Sequence, residues 1–175
     1  MVTLPPTVPD RVVEAFWAKV VQASSPDGCW IFTGAISSPD GYGRINFRVD
    51  GKQYSVSAHR FALMLSGVDI ADAEVVADHR CNEPLCVRVG CTHVIASTRA
   101  ANMGYASRTG RARGTRPGLD TQTRSRVQRS RDVRAAVADG WDETAYRLAA
   151  QRPVNPLGQP SLFDTPRNVS RKREP

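Results

Sequence analysis

Apolar positions along this chain follow two periods, and each change of period marks an element. In "RVVEAFWAKVVQ", Val12, Val13, Phe16, Trp17 and Val20 recur at helical spacing, which predicts an amphipathic helix over residues 10 to 22 lying on a sheet. Past the turn residues "SSPDG", the run "CWIFTG" reads as a strand, "SPDGYG" as a second turn, and "GRINFRVDGKQYSVS" as a hairpin about Asp50-Gly51. "AHRFALMLSG" returns to helical spacing and closes at Gly67. "AEVVADHRC" predicts a buried strand, a cysteine-rich loop follows, and "HVIAS" predicts the returning strand. Ser97 or Thr98 can then cap a helix that ends at Gly110. Two more helices are predicted in "TRSRVQRSRDVRAAVADG" and "WDETAYRLAAQ", separated by Gly140. The ends lack any period: residues 1–10 hold three prolines and residues 151–175 hold five, so both are expected to be disordered. The fold class expected is α+β, a small antiparallel sheet with covering helices. It occupies residues 11–110, with a basic helical extension over 111–150.

Composition narrows the function classes. At 175 residues and 41% hydrophobic content the chain can bury one modest core. It has no run of eighteen apolar residues, and "MVTLPPTVPD" lacks both a basic start and an apolar stretch. A cytoplasmic protein without a membrane partner is therefore expected, its four cysteines reduced or metal-bound rather than disulfide-linked. Charge is uneven: residues 1–102 carry nine Lys+Arg against ten Asp+Glu, residues 103–175 fifteen against seven. Nine arginines and no lysine lie from Arg108 to Arg134. Such a segment is either a solvated tail or a surface that follows nucleic-acid phosphates.

The densest chemistry is "ADHRCNEPLCVRVGCTH", residues 77–93. Cys81, Cys86, Cys91 and His93 follow C-x4-C-x4-C-x-H spacing, and a further thiol stands at Cys29. Zinc takes four tetrahedral sulfur and nitrogen ligands, and its binding can fold a loop too small to fold by burial. Cys81 and Cys86 bracket one tight loop; Cys29 precedes a strand able to lie beside it, and either Cys91 or His93 can complete the set. Against this stands the plainer reading of free cysteines as small buried hydrophobes. Asp78 and His79 fall outside the zinc spacing, and on their own read as a hydrogen-bonded structural pair.

The stretch "VVADHRCNEPLCVRVGCTHVIASTRAANM" resembles the HNH endonucleases of the short phage and actinobacterial kind, which share a ββα-metal unit. "FWAKV", "GCWIFTG", "GYGRI" and "AHRFAL" are similar to the same proteins, so the resemblance spans roughly residues 12–110. It implies catalysis by His79, Asp78, His93 and Asn102. His79 would be the general base that takes a proton from the attacking water. Asp78 and Asn102 would hold one divalent cation, Mg²⁺ by the hardness of its oxygen ligands, to stabilise charge on phosphorus and on the leaving oxygen. His93 occupies the family's middle position, orienting the loop by hydrogen bonding or by ligating zinc. His59 matches a recurrent position and reads as a packing or supporting histidine. Arg88 and Val89 depart from the usual "NP", the loop to His93 is two residues longer than the commonest form, and Cys91 is extra; these put the zinc ligands in doubt more than Asp78, His79 and Asn102.

Double-stranded DNA is the partner so implied, with Arg80, Arg88, Arg99, Arg108, Arg111, Arg113, Arg124 and Arg126 as candidate contacts. The tail segment "GQPSLFD" resembles the peptide by which bacterial proteins dock on the replication sliding clamp, with Leu162 and Phe163 filling a pocket and Gln159 and Ser161 at its rim. The reading is thus an endonuclease acting as monomer or homodimer. The competing readings are a non-catalytic DNA- and clamp-binding protein, and a zinc-containing transcription factor.

Overall fold

The structure, a computed structural model, describes residues 5, 7–38, 40–109 and 119–151, with the side chains of 119–125 excepted. Helix α1 (Asp10–Trp17) leads into β1 (Val20–Gln22), which pairs antiparallel with β2 (Trp30–Phe32). The helix expected to run to residue 22 therefore stops at Trp17. Two consecutive β-branched residues, Val20 and Val21, take the pleated conformation they prefer, opposite Phe32 and Ile31. Trp17, expected on the buried face, is 37% exposed, while Val12 and Phe16 are buried. Residues near the N-terminus are drawn in further than expected, since Val8 packs against the core and Pro9 precedes the first helical turn.

A short β3 (Ala35–Ile36), missed in the sequence, joins β4 (Gly43–Val49) and β5 (Lys52–Ser57) in a three-stranded sheet. The β4–β5 turn has Asp50 at φ 49° and Gly51 at φ 75°. Positive φ at both central residues is the type I′ geometry that matches strand twist, as Asp-Gly forecasts. Helix α2 (Ala58–Leu65) follows at once, then β6 (Val76–His79), the 80–93 loop, β7 (Val94–Ser97) and α3 (Arg99–Arg108). The expected strand, loop, strand, helix unit is present. Strands β6 and β7 pair antiparallel with Asp78 opposite Ile95, and Thr98 caps α3 by accepting from Ala101 N at 3.2 Å.

Helices α4 (Leu119–Ala136) and α5 (Glu143–Ala150) complete the described chain. Two cores result, and β2 feeds both because neighbouring strand residues face opposite ways. Phe32 joins Phe16, Phe61, Val56 and Leu63 in the first; Ile31 joins Leu85, Val133 and Val137 in the second. The boundary expected at residue 110 thus does not divide the packing, for α4 and α5 close the second core around the cysteine loop.

Candidate metal centre and the adjoining acid and histidine pair

The cysteine loop is sewn onto β2 as an extra strand. Phe32 N donates to Leu85 O at 2.9 Å and Val87 N to Trp30 O at 2.8 Å, on either side of an antiparallel Ile31–Cys86 pair. Residues opposite one another share a face, as do residues two apart. Cys86 therefore points the same way as Ile31 and Cys29. The returning β7 brings His93 in from the far end of the loop, with Arg80 N donating to His93 O at 2.7 Å.

Cys29, Cys81, Cys86 and His93 consequently converge, their ligand atoms all within 4.8 Å of one another. Sγ of Cys29 lies 3.7 Å and Sγ of Cys86 3.6 Å from His93 Nδ1. Ligands at ~2.3 Å for sulfur and ~2.0 Å for nitrogen around a tetrahedral ion sit roughly 3.5–3.8 Å apart, so the set can hold a structural metal ion such as zinc. His93 Nε2 lies 3.2 Å from Asp27 O. A carbonyl only accepts, so Nε2 carries the hydrogen and Nδ1 presents its lone pair to the thiols. Charge points the same way. Hydrogen bonds from Cys29, then Cys86, hold the Cys81 thiol well below its ordinary value; shared hydrogen bonding with Cys81 together with burial pushes Cys29 up to about 12, and Cys86 is raised by the same partners. A bound dication would compensate the charge of thiolates gathered this closely.

The choice left open in the sequence is thereby made: His93 completes the set and sits among the thiols, while Cys91 is exposed and outside it. Glu83, between two of the cysteines, is buried and bonds Arg129 of α4 at 2.8 Å, and Arg129 also donates to Ala150 O at 2.9 Å. Burial raises the Glu83 carboxyl despite Arg129. Tyr146 of α5 packs against the core that contains Cys29. Sequence reading missed Glu83, Arg129 and Tyr146. An acidic residue inside a cysteine loop is a signal, but its partner lies 46 positions away.

Asp78 and His79 end β6 beside this centre. His79 Nε2 lies 2.9 Å from the Cys86 carbonyl oxygen. It must donate, so in the neutral ring Nδ1 holds the basic lone pair. Cys86 therefore serves both sites, through its sulfur and its carbonyl. Asp78 is 2% exposed, and its Oδ2 is buried without a hydrogen-bond donor. Arg80 Nε is 3.2 Å from that oxygen but not aligned as a donor, so the contact is ionic only.

Helix α3 runs beside β6. Ser97 lies opposite Val76, and Tyr105 OH donates to Arg80 O at 3.2 Å. Asn102 is one turn before Tyr105 on the same helix face. Asn102 is half-buried.

Two expected DNA contacts are engaged inside the fold. The Arg80 guanidinium stacks 4.0 Å from the Tyr105 ring, and Arg88 donates to Gly28 O at 2.8 Å beside Trp30. The Gly28 carbonyl needs a donor and Arg88 supplies it, while Arg80 pairs with Asp78. Arg99, Arg108 and Arg126 are exposed. Arg111, Arg113, Gln159, Ser161, Leu162 and Phe163 lie outside the described residues, as does the Arg124 side chain. Among the described residues no helix is long and apolar enough to cross a membrane. Comparison with family models, with curated proteins and with solved structures yields no match for this chain.

Proposed function

We propose that this chain is a metal-dependent DNA endonuclease of the HNH type, hydrolysing phosphodiester bonds to leave 5′-phosphate and 3′-hydroxyl ends. The observation that carries the reading is the end of β6: an imidazole with one tautomer imposed by Cys86 O, next to a carboxylate oxygen buried without a donor. Buried polar atoms are rarely left unsatisfied, and each one that is calls for an explanation. Consecutive strand residues leave on opposite sides: His79 meets His59 of α2, while Asp78 pairs with Arg80, which stacks on Tyr105 of α3, the helix that carries Asn102. The second edge of β6 carries no partner strand among the described residues, and a phosphate approaching there meets both sides. Nδ1 of His79 would take the proton from the attacking water. Asp78 and Asn102 would hold one Mg²⁺, which when bound stabilises charge on phosphorus and on the leaving oxygen. Exposed Arg99, Arg108 and Arg126 would follow the DNA backbone. The segment around Leu162 and Phe163 would tether the enzyme to a sliding clamp.

A second reading, a non-catalytic DNA- and clamp-binding protein, draws on one feature: Asp78 is almost fully buried and already has Arg80 as its counter-charge. Supercoiled plasmid separates the two. Nicking that needs Mg²⁺, stops with EDTA and disappears in His79→Ala supports the enzyme. Equal nicking by both proteins, or by neither, leaves the binding protein.

A further inference from the structure

We infer that Tyr42 and His59 are positioning residues for His79, and that α4 belongs to the same support because it backs the turn that presents Tyr42. This rests on the nuclease reading above.

The His79 ring belongs to a cluster of three rings that touch pairwise. Tyr42 stacks on it at 5.6 Å between centroids and 19° between planes, and His59 lies 4.5 Å away at 56°. Tyr42 and His59 also touch, at 4.9 Å. A hydrogen bond at Nε2 does not by itself set the plane of an imidazole, since its outer torsion has broad wells. Two rings packed against His79 limit that rotation and help fix where Nδ1 points.

His59 is a costly way to fill this space. It is 7% exposed, and its Nδ1 is buried without a hydrogen-bond partner. A phenylalanine would fill the volume without that penalty. Packing alone does not account for a histidine here, whereas service to a working imidazole does.

Tyr42 is held from behind. Its N–H donates to Asp40 Oδ1 at 3.1 Å, and its carbonyl accepts from Ser37 N at 2.8 Å. Gly41, at φ 76°, presses this turn against α4, where a Cβ would come 3.0 Å from Ser130 Oγ and 3.1 Å from Arg126 O. No side chain fits there without moving the turn or the helix. The C-terminal helix thus reaches His79 through Gly41 and Tyr42, a role distinct from any contact with DNA.

The test uses the full chain loaded with zinc, comparing Tyr42→Ala, Tyr42→Phe, His59→Phe and Gly41→Ala with wild type. Tyr42→Ala should lower kcat for plasmid nicking about 10- to 100-fold, the scale seen when supporting partners of a site are removed, with KM and zinc content unchanged. Tyr42→Phe should restore most of it, and His59→Phe and Gly41→Ala should fall between. A second readout needs no activity: the ring nitrogens of His79 in nitrogen-15 spectra should show one narrow Nε2–H tautomer, broadened in Tyr42→Ala. Wild-type kcat with an unchanged His79 signal in Tyr42→Ala overturns the inference. So does a loss in Tyr42→Ala that tracks loss of zinc or of folding. If wild type does not nick at all, the nuclease reading fails, and the His79 signal still decides this one.

Discussion

The two sides of the 80–93 loop treat polar groups in opposite ways. On the side facing α4 and α5 the titratable groups have company, for three thiols and an imidazole converge and Glu83 has Arg129, and only the uncharged Ser130 Oγ of α4 is buried without a partner among the described residues there. On the side facing β6, Asp78 Oδ2 and His59 Nδ1 are buried without hydrogen-bond partners. The first arrangement is what stability selects. The second gives stability away, and such sacrifice concentrates where groups are kept ready for a ligand or a reaction. One loop therefore separates a cluster able to hold a metal ion from the pair we propose as catalytic, with Cys86 touching both through its sulfur and its carbonyl.

The contrast can be broken by mutation, beginning with the thiol cluster. Cys86→Ser should abolish stoichiometric zinc binding and cooperative unfolding, read by metal analysis and circular dichroism, since a structural zinc site supplies on the order of 10 kcal/mol of folding energy in small domains. Cys91→Ser should change neither. On the other side, Asp78→Asn should cut Mg²⁺-dependent nicking roughly 100- to 1,000-fold, the loss typical when a charge-stabilising partner goes, with zinc content intact and the unfolding midpoint equal to or above wild type. A large drop in midpoint would show Asp78 to serve stability instead.

Arg129→Met leaves Glu83 buried without its partner and should cost about 3 kcal/mol in urea unfolding. Adding Glu83→Gln should recover part of that, because the burial that raises the Glu83 carboxyl then acts on a neutral group. The smallest effect concerns pH. Burial, and then repulsion from His79, holds His59 well below 6.5. The unfolded chain takes up this proton first, so the histidine's contribution to stability is present above pH 6.5 and is lost as pH falls below it, by ~1.4 kcal/mol per pH unit until folded His59 also protonates. His59→Phe should remove that slope from the acid limb of a stability profile.

Much of this was legible in one dimension wherever the signal was local. Asp50-Gly51 announced its turn, Thr98 its cap, and the apolar run before Asp78 its strand, because backbone preferences act over a few residues. Val20 and Val21 were misread for the same reason: helical spacing carried through them, and only pairing with β2 shows that they are a strand. At the site, Asp78 and His79 were visible as a dipeptide and the thiols as a spacing, yet the choice of His93 over Cys91 was not. Both fit the count, and the ladder joining the loop to β2 and β7 decides which ligand points inward.

Arginine was the least legible residue. Arg80 and Arg88 read as phosphate contacts, and each engages a carboxylate or carbonyl of the fold, as does Arg129, which that reading did not single out. Guanidinium chemistry is the same for an internal oxygen and for a phosphate, and only position tells them apart. Sequence alone set most of the elements, the thiol-rich loop and the acid–histidine pair, since each depends on neighbours within a turn or a strand, but not β1 or β3, which only pairing reveals. Tertiary structure alone set which four groups meet, which arginines remain outside, and that α4 and α5 close over the cysteine loop. Those outcomes depend on contacts between positions far apart in the chain, and no local preference encodes them.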